Sequence, residues 1–193
     1  MVQLTLNILL KDSILDDKSI IKSYKRVSSF YDYTFGKVFK PGQKKLVSMM
    51  ECTPTDKVLE IGIGTGTSYS YYPDETVVIG IDISPDMLDK ARNHIESNRL
   101  KNKSVVMMNG EQHQFEDNSF DTIVTFQVIE HINNDNLFVE EIYRILRPGG
   151  KALITTPNIE MTLTRNPWHI REYTSRQLQD LAENFFSKIT III

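Results

Sequence analysis

Cysteine is nearly absent from this chain. Cys52 is the only one in 193 residues, so an internal disulfide is excluded and a reducing cytoplasm suits the composition. Positive charge is not in excess: the formal net charge is -3, which gives no basic surface and disfavours nucleic acid as a partner. No apolar run approaches the roughly 18 residues that cross a bilayer. The first residues, Met1-Val2-Gln3-Leu4-Thr5-Leu6, lack the basic start of a signal peptide. Internal repeats, low-complexity tracts and linkers are missing too. The length and the 40% hydrophobic content suffice for one domain with a single sizeable core.

What the chain does contain is a pattern of apolar strands and amphipathic helices in alternation. The stretch Val58-Leu59-Glu60-Ile61-Gly62-Ile63-Gly64-Thr65-Gly66-Thr67 reads as a buried strand entering a glycine-rich turn and then a helix. Gly62, Gly64 and Gly66 remove side chains where backbone N–H groups would meet a ligand. The dinucleotide fingerprint is G-x-G-x-x-G, and its third glycine falls here on Thr67. The turn therefore suits a nucleoside-containing cofactor better than a dinucleotide, and an NAD-dependent oxidoreductase is disfavoured.

Residues 1–40 are a lead-in. Ile20, Ile21, Tyr24 and Val27 recur at helical spacing, and the run Ser29 to Phe39 is dense in aromatics. Core packing accounts for most of those rings, and a helical, aromatic lid over residues 41–193 is the functional reading. Pro41 opens a helix, and residues 57–61 form the first strand. Thr65 to Tyr72 is a short helix, and Thr76 to Ile81 a second strand whose apolar run suits burial on both faces. Asp82 follows at the strand tip, 20 residues after Gly62, where a carboxylate can accept hydrogen bonds from both hydroxyls of a ribose. Ser84 and Pro85 are a helix cap and first residue.

Residues 104–108 and 120–126 are the third and fourth strands. Gln127-Val128-Ile129-Glu130-His131 lies at the end of the fourth, where open α/β sheets hold ligands. Asn133 to Leu146 is an amphipathic helix, Pro148-Gly149-Gly150 a turn, and residues 152–156 a fifth strand. The loop 157–173 is long enough to suggest function. Thr174 caps a helix, with Gln177 as capping-box partner, and residues 187–193 read as a sixth strand.

These pieces resemble the class I S-adenosylmethionine-dependent methyltransferases of the type 11 kind. The resemblance rests on Val58 to Gly66, Gly80 to Leu88, Phe115 to Asp121, Ile129-Glu130-His131 and Leu146-Arg147-Pro148-Gly149-Gly150. It implies a Rossmann-like, doubly wound, mostly parallel sheet with helices on both faces. The family's sheet has seven strands, and the last is missing from this reading. The cofactor implied is S-adenosyl-L-methionine, and the chain is expected to be an enzyme. Glu60, Gly62, Gly64 and Gly66 would hold its methionine part and Asp82 its ribose. Ile83, Met87, Asn109, Gly110 and Glu111 would surround the adenine, and Gln127 would lie near the sulfonium. No metal is expected.

The acceptor is read from two regions. Tyr31 to Phe39 resembles bacterial phosphatidylethanolamine N-methyltransferases and quinone methyltransferases, whereas Thr156-Pro157-Asn158 and Asn166 to Tyr173 resemble O-methylating enzymes of quinone, sugar or glycan pathways. The acceptor is then a small molecule or lipid with an accepting nitrogen or oxygen. Location is cytoplasmic, with peripheral contact at the inner membrane face if the acceptor is a lipid. Tyr31, His131 and His169 are the candidate catalytic residues. A hydroxyl acceptor benefits from a base, and both histidines sit at strand ends with near-neutral intrinsic pKa. The alternative is a non-catalytic cofactor-binding member of the same fold.

Overall fold

The computed structural model describes residues 41–111, 113–161, 166 and 168–191. The expected lid, with Tyr31 and its aromatic neighbours, lies outside these residues, as does the apolar start of the chain.

Strand-forming residues are concentrated in five short runs, and these build one parallel sheet. The strands are β1 (Lys57–Ile61), β2 (Val77–Asp82), β3 (Lys103–Met107), β4 (Phe120–Phe126) and β5 (Leu146–Thr155), in spatial order β3-β2-β1-β4-β5. The order reverses direction between β1 and β4, which is where ligands lodge in sheets of this type. Helix α1 covers residues 41–49, α2 Pro85–Asn98, α3 Asp135–Ile145 and α4 Ser175–Glu183.

Side chains alternate across the strands, so the two faces carry different partners. Leu59 and Ile61 of β1 face α3 and α4, packing with Phe138, Ile142, Ile145 and Leu181. Val58 faces the other way, with Val47, Tyr69, Leu88 and Val78. Helices thus cover both faces of the sheet, as the doubly wound reading requires. Local rules hold at the helix ends. Ser84 Oγ accepts from Met87 N at 3.4 Å with Pro85 next in line, and Thr174 and Gln177 form a complete capping box.

The short helix expected after the glycine turn is there, as a 3-10 helix, Thr67–Tyr71. Two expectations need correction. The proline-glycine turn does not separate α3 from β5. The strand begins at Leu146, directly after α3, and Pro148-Gly149-Gly150 becomes a shift in register between β4 and β5, with Gly149 at φ 81°. The bulge absorbs the extra residues within the ladder. Residues 187–191 form no strand. Phe185 and Phe186 instead turn onto Tyr143 of α3, with ring centroids 6.2 and 5.7 Å apart, and hold the chain on the helical layer.

One packing contact ties the glycine turn to the sheet. Tyr69 of the 3-10 helix passes its ring over Gly80 of β2, and its hydroxyl donates to Ser104 O of β3 at 2.6 Å. A Cβ at Gly80 would stand 2.3 Å from that hydroxyl oxygen and 2.7 Å from Ile63 Cγ1. Gly80→Ala is therefore expected to destabilise the fold by about 1–3 kcal/mol, the usual range for overpacking a filled core. Urea unfolding followed by circular dichroism measures this, and an unchanged midpoint would refute the packing argument.

Candidate active site

The site is built at the carboxyl ends of β1, β2 and β4. The turn after β1 needs its glycines: Gly62, Gly64 and Gly66 have φ of 73°, 56° and 73°, the left-handed region that side chains disfavour. Gly62 is also sterically required, because a Cβ would lie 2.3 Å from Val128 Cγ2. At Gly64 the added atom would meet nothing within 4 Å, so the turn presents bare backbone to open space. That is a cradle a ligand can press against, and it fits the cofactor expected from the sequence.

Asp82 closes the other side of this cradle. Its Oδ2 accepts from Gly64 N and its Oδ1 from Ser84 N, each at 2.9 Å. One carboxylate thus joins the turn after β1 to the turn after β2. Burial pushes its pKa up, while these backbone donors pull it down. Each oxygen keeps lone-pair capacity for a further donor. Met87, just beyond, is buried and Ile83 half-buried. After β3, Asn109 Oδ1 accepts from Glu111 N at 2.9 Å, and Glu111 Oε1 accepts from Asn133 N at 3.0 Å. The loop carrying Asn109, Gly110 and Glu111 is thereby tied to the loop after β4. Gln127, at the end of β4, has φ 56° and donates its N–H to Thr155 O at 3.0 Å. A left-handed glutamine at a strand end marks a special backbone position.

Glu60 sits differently from the other expected cofactor residues. It is 2% exposed, and its two oxygens accept from Ser68 Oγ at 2.7 Å and Tyr72 Oη at 2.8 Å. The carboxylate lies beneath the 3-10 helix and anchors it. Burial raises its pKa to about 7, against the two hydroxyl bonds that lower it.

The two candidate histidines come together although 38 positions separate them in the sequence. A short 3-10 helix, Ile129–His131, follows β4. The segment 168–173 folds back over it, because Glu130 O accepts from Ile170 N at 2.8 Å and from Arg171 N at 3.2 Å. Tyr173 Oη donates to Asp135 at 3.0 Å, and Arg171 pairs with the same carboxylate. In this clasp His131 Nδ1 lies 3.0 Å from Trp168 O and His169 Nδ1 lies 2.8 Å from Glu172 Oε1. The two rings meet edge to face, with centroids 5.1 Å apart. Glu130 is buried beside them and accepts from Thr156 Oγ1 at 3.1 Å. Burial first, then His169, holds His131 down at about 4, so it is neutral at physiological pH. Burial lifts Glu130 to about 7, with Glu172 adding to the rise.

Sequence reasoning singled out Glu130 only as part of a motif and Glu172 only as part of a loop. No local pattern shows that both carboxylates line up behind the histidines.

Comparison with known proteins bears on the family and the fold. The family model described as "Methyltransferase domain" matches residues 59–154. The chain is 33% identical over 137 residues to phosphatidylethanolamine N-methyltransferase of Cereibacter sphaeroides, covering 70% of this chain and 66% of that protein. It is 36% identical to demethylmenaquinone methyltransferase of Tropheryma whipplei, covering 55% of this chain and 44% of that one. The phosphoethanolamine N-methyltransferase 2 of Caenorhabditis elegans is 33% identical, over 65% of this chain and 30% of that protein. The chain thus spans two thirds or less of the length of these relatives. Among solved structures, YcgJ of Bacillus subtilis superposes with a TM-score of 0.65 at 22% identity, covering 72% of this chain and 64% of that one. Haemonchus contortus phosphoethanolamine N-methyltransferase 2, in complex with phosphomonomethylethanolamine and S-adenosylhomocysteine, superposes with a TM-score of 0.70 at 23% identity, covering 80% and 40%. These structural likenesses show a shared fold.

The buried Glu60 makes a pH prediction. Its pKa rises from 4.5 when exposed to about 7 when folded, so between those values the native state binds the proton that the unfolded state has lost. Stability from this group therefore falls as pH rises from about 4.5 to about 7. Glu60→Gln removes the effect. Its stability relative to the wild type is expected to grow across that window, by up to about 3 kcal/mol, and then level off. Urea denaturation of both proteins, without ligand, at half-unit pH steps checks this; a flat difference would refute it.

Proposed function

This chain belongs to the class I S-adenosylmethionine-dependent methyltransferases, and we propose that it transfers a methyl group to a nitrogen or oxygen of a small-molecule or lipid-type acceptor. The observation that carries this reading is the joint of Gly64 and Asp82. A bare glycine turn and a carboxylate are held 2.9 Å apart at the ends of neighbouring parallel strands. When bound, S-adenosylmethionine supplies a methyl group already activated on sulfonium, so the protein's tasks are to hold it, aim the acceptor and exclude water.

The residue roles in this reading are those the family resemblance implies, and the open glycine turn beside Asp82 supports them. The backbone of Gly62, Gly64 and Gly66 receives the amino-acid end, with Glu60 supporting the turn from below through Ser68 and Tyr72. Asp82 takes the ribose hydroxyls. Ile83 and Met87 border the adenine, and the Asn109-Gly110-Glu111 loop completes its pocket. Gln127 stands at the sulfonium end of the groove. The acceptor then enters above β4, beside Glu130, His131, His169 and Glu172.

This concentration of titratable side chains suits a hydroxyl acceptor, whose proton must be taken as the bond to methyl forms, and an ammonium headgroup must shed a proton as well before its nitrogen can attack. Quinone-type and sugar-type hydroxyls are the first acceptors to test. Headgroup amines of the phospholipid type are the second, supported by the names of two of the relatives.

Two measurements test the reading. Calorimetry on the wild type should show one S-adenosylmethionine per chain, and a folded protein that binds none would sink the proposal. Asp82→Ala should weaken that binding roughly 10- to 150-fold, the cost of about 1.5–3 kcal/mol for losing hydrogen bonds to a charged group. Release of S-adenosylhomocysteine across quinol, sugar and phospholipid pools then identifies the acceptor.

A further inference from the structure

We propose that Glu130, His131 and His169 form a binding site for one divalent transition-metal ion. Each offers one ligand atom, and these three atoms lie within 4.8 Å of one another. Ligands in tetrahedral array around an ion at bond lengths of about 2.1 Å stand about 3.4 Å apart. The three atoms therefore stand at most about 1.4 Å further apart than an ion needs.

The surroundings are those of a metal site rather than a chance cluster. A ligating histidine usually donates its second N–H to an oxygen, which fixes its tautomer and aims its lone pair. Both histidines here have that partner at Nδ1: Trp168 O for His131 and the Glu172 carboxylate for His169. With Nδ1 so engaged, the proposal assigns Nε2 of each ring to the ion. On His169 the ion replaces a contact from the Asn166 side-chain amide, 3.0 Å away. The third ligand is steadied as well, by the Thr156 hydroxyl on Glu130 Oε2. Backbone bonds from Ile170 and Arg171 to Glu130 O pin the two contributing segments together.

Electrostatics points the same way. Glu130 is buried, and among the described residues no lysine or arginine forms an ion pair with it. A buried carboxylate in that state gains from a cation. Two imidazoles and one carboxylate suit zinc, iron, cobalt or manganese better than magnesium or calcium.

Three protein ligands leave coordination positions open, as in catalytic sites. If the proposed methyl transfer is correct, an acceptor hydroxyl entering one becomes more acidic and gives its proton to water, so the ion does the work assigned to a base. That consequence rests on the functional reading; the site itself does not.

The test uses the full chain, stripped with chelator, and Zn²⁺ or Co²⁺ alone as probe. Titration should show one ion per chain, and the Co²⁺ visible spectrum should report nitrogen and oxygen ligands. Glu130→Gln and His169→Ala should abolish stoichiometric binding, and Glu172→Gln should weaken it roughly 10- to 100-fold. His94→Ala, on α2, should change nothing. Ring resonances of the unmodified protein provide a reading independent of any variant: Zn²⁺ should shift those of His131 and His169 and spare those of His94 and His113. Absence of stoichiometric binding in the folded wild type, or binding that shifts a different pair of histidines, overturns the proposal. S-adenosylmethionine titration on the same sample is scored separately. A protein that binds the cofactor but not Zn²⁺ loses the metal site alone, and one that binds Zn²⁺ but not the cofactor keeps it while the methyl-transfer reading falls.

Discussion

The carboxylate of Asp82 is shared between two backbone N–H groups that belong to different crossovers of the sheet, Gly64 on one side and Ser84 on the other. A half-buried charge of this kind is stable where its donors are fixed. Those donors are fixed by the strands beneath them, since Gly62 N and Ile63 N both bond to Ile81 O, the carbonyl immediately before Asp82. Strand pairing, glycine turn and carboxylate therefore form one unit. The proposed cofactor contacts depend on this unit.

The second half of the site depends on a different kind of constraint. There the chain returns from β5 and is clasped to the 3-10 helix after β4 by the backbone of Glu130 and by the side chain of Asp135. The clasp brings two histidines and two carboxylates into a buried space. Burial then decides their chemistry: His131 stays neutral and Glu130 holds its proton more tightly. In the proposed function the cofactor would meet mainly backbone and the acceptor mainly side chains on a loop, a division that lets one fold serve different acceptors.

How much of this was legible in the sequence follows from the range of each interaction. The glycine turn, the Ser84 and Thr174 caps and the strands at 57–61 and 120–126 are set by neighbours a few residues away, and pattern reading finds them. Asp82 was legible because its distance from the turn is itself a repeat of the β-α-β unit. The errors lie where distant contacts override local preference. Proline and two glycines after α3 look like a turn, but pairing with β4 draws them into β5 as a bulge. Residues 187–193 look like a strand, yet the described part, to Ile191, forms none, and Phe185 and Phe186 pack on Tyr143 of α3. The pairing of His131 with Trp168, and of His169 with Glu172, was beyond any pattern, because the partners meet only after the whole sheet is in place.

Tyr69 gives the cofactor cradle an unexpected dependence on the edge of the sheet. Its hydroxyl bonds to β3, an edge strand, although its own helix grows out of the glycine turn after β1. The shape of the turn is therefore supported in part by the docking of β3. Fraying of that edge would reach the ligand as weakened binding, with no contact between β3 and ligand being necessary. Cofactor affinity in this molecule is in that sense a gauge of whether its outermost strand is closed.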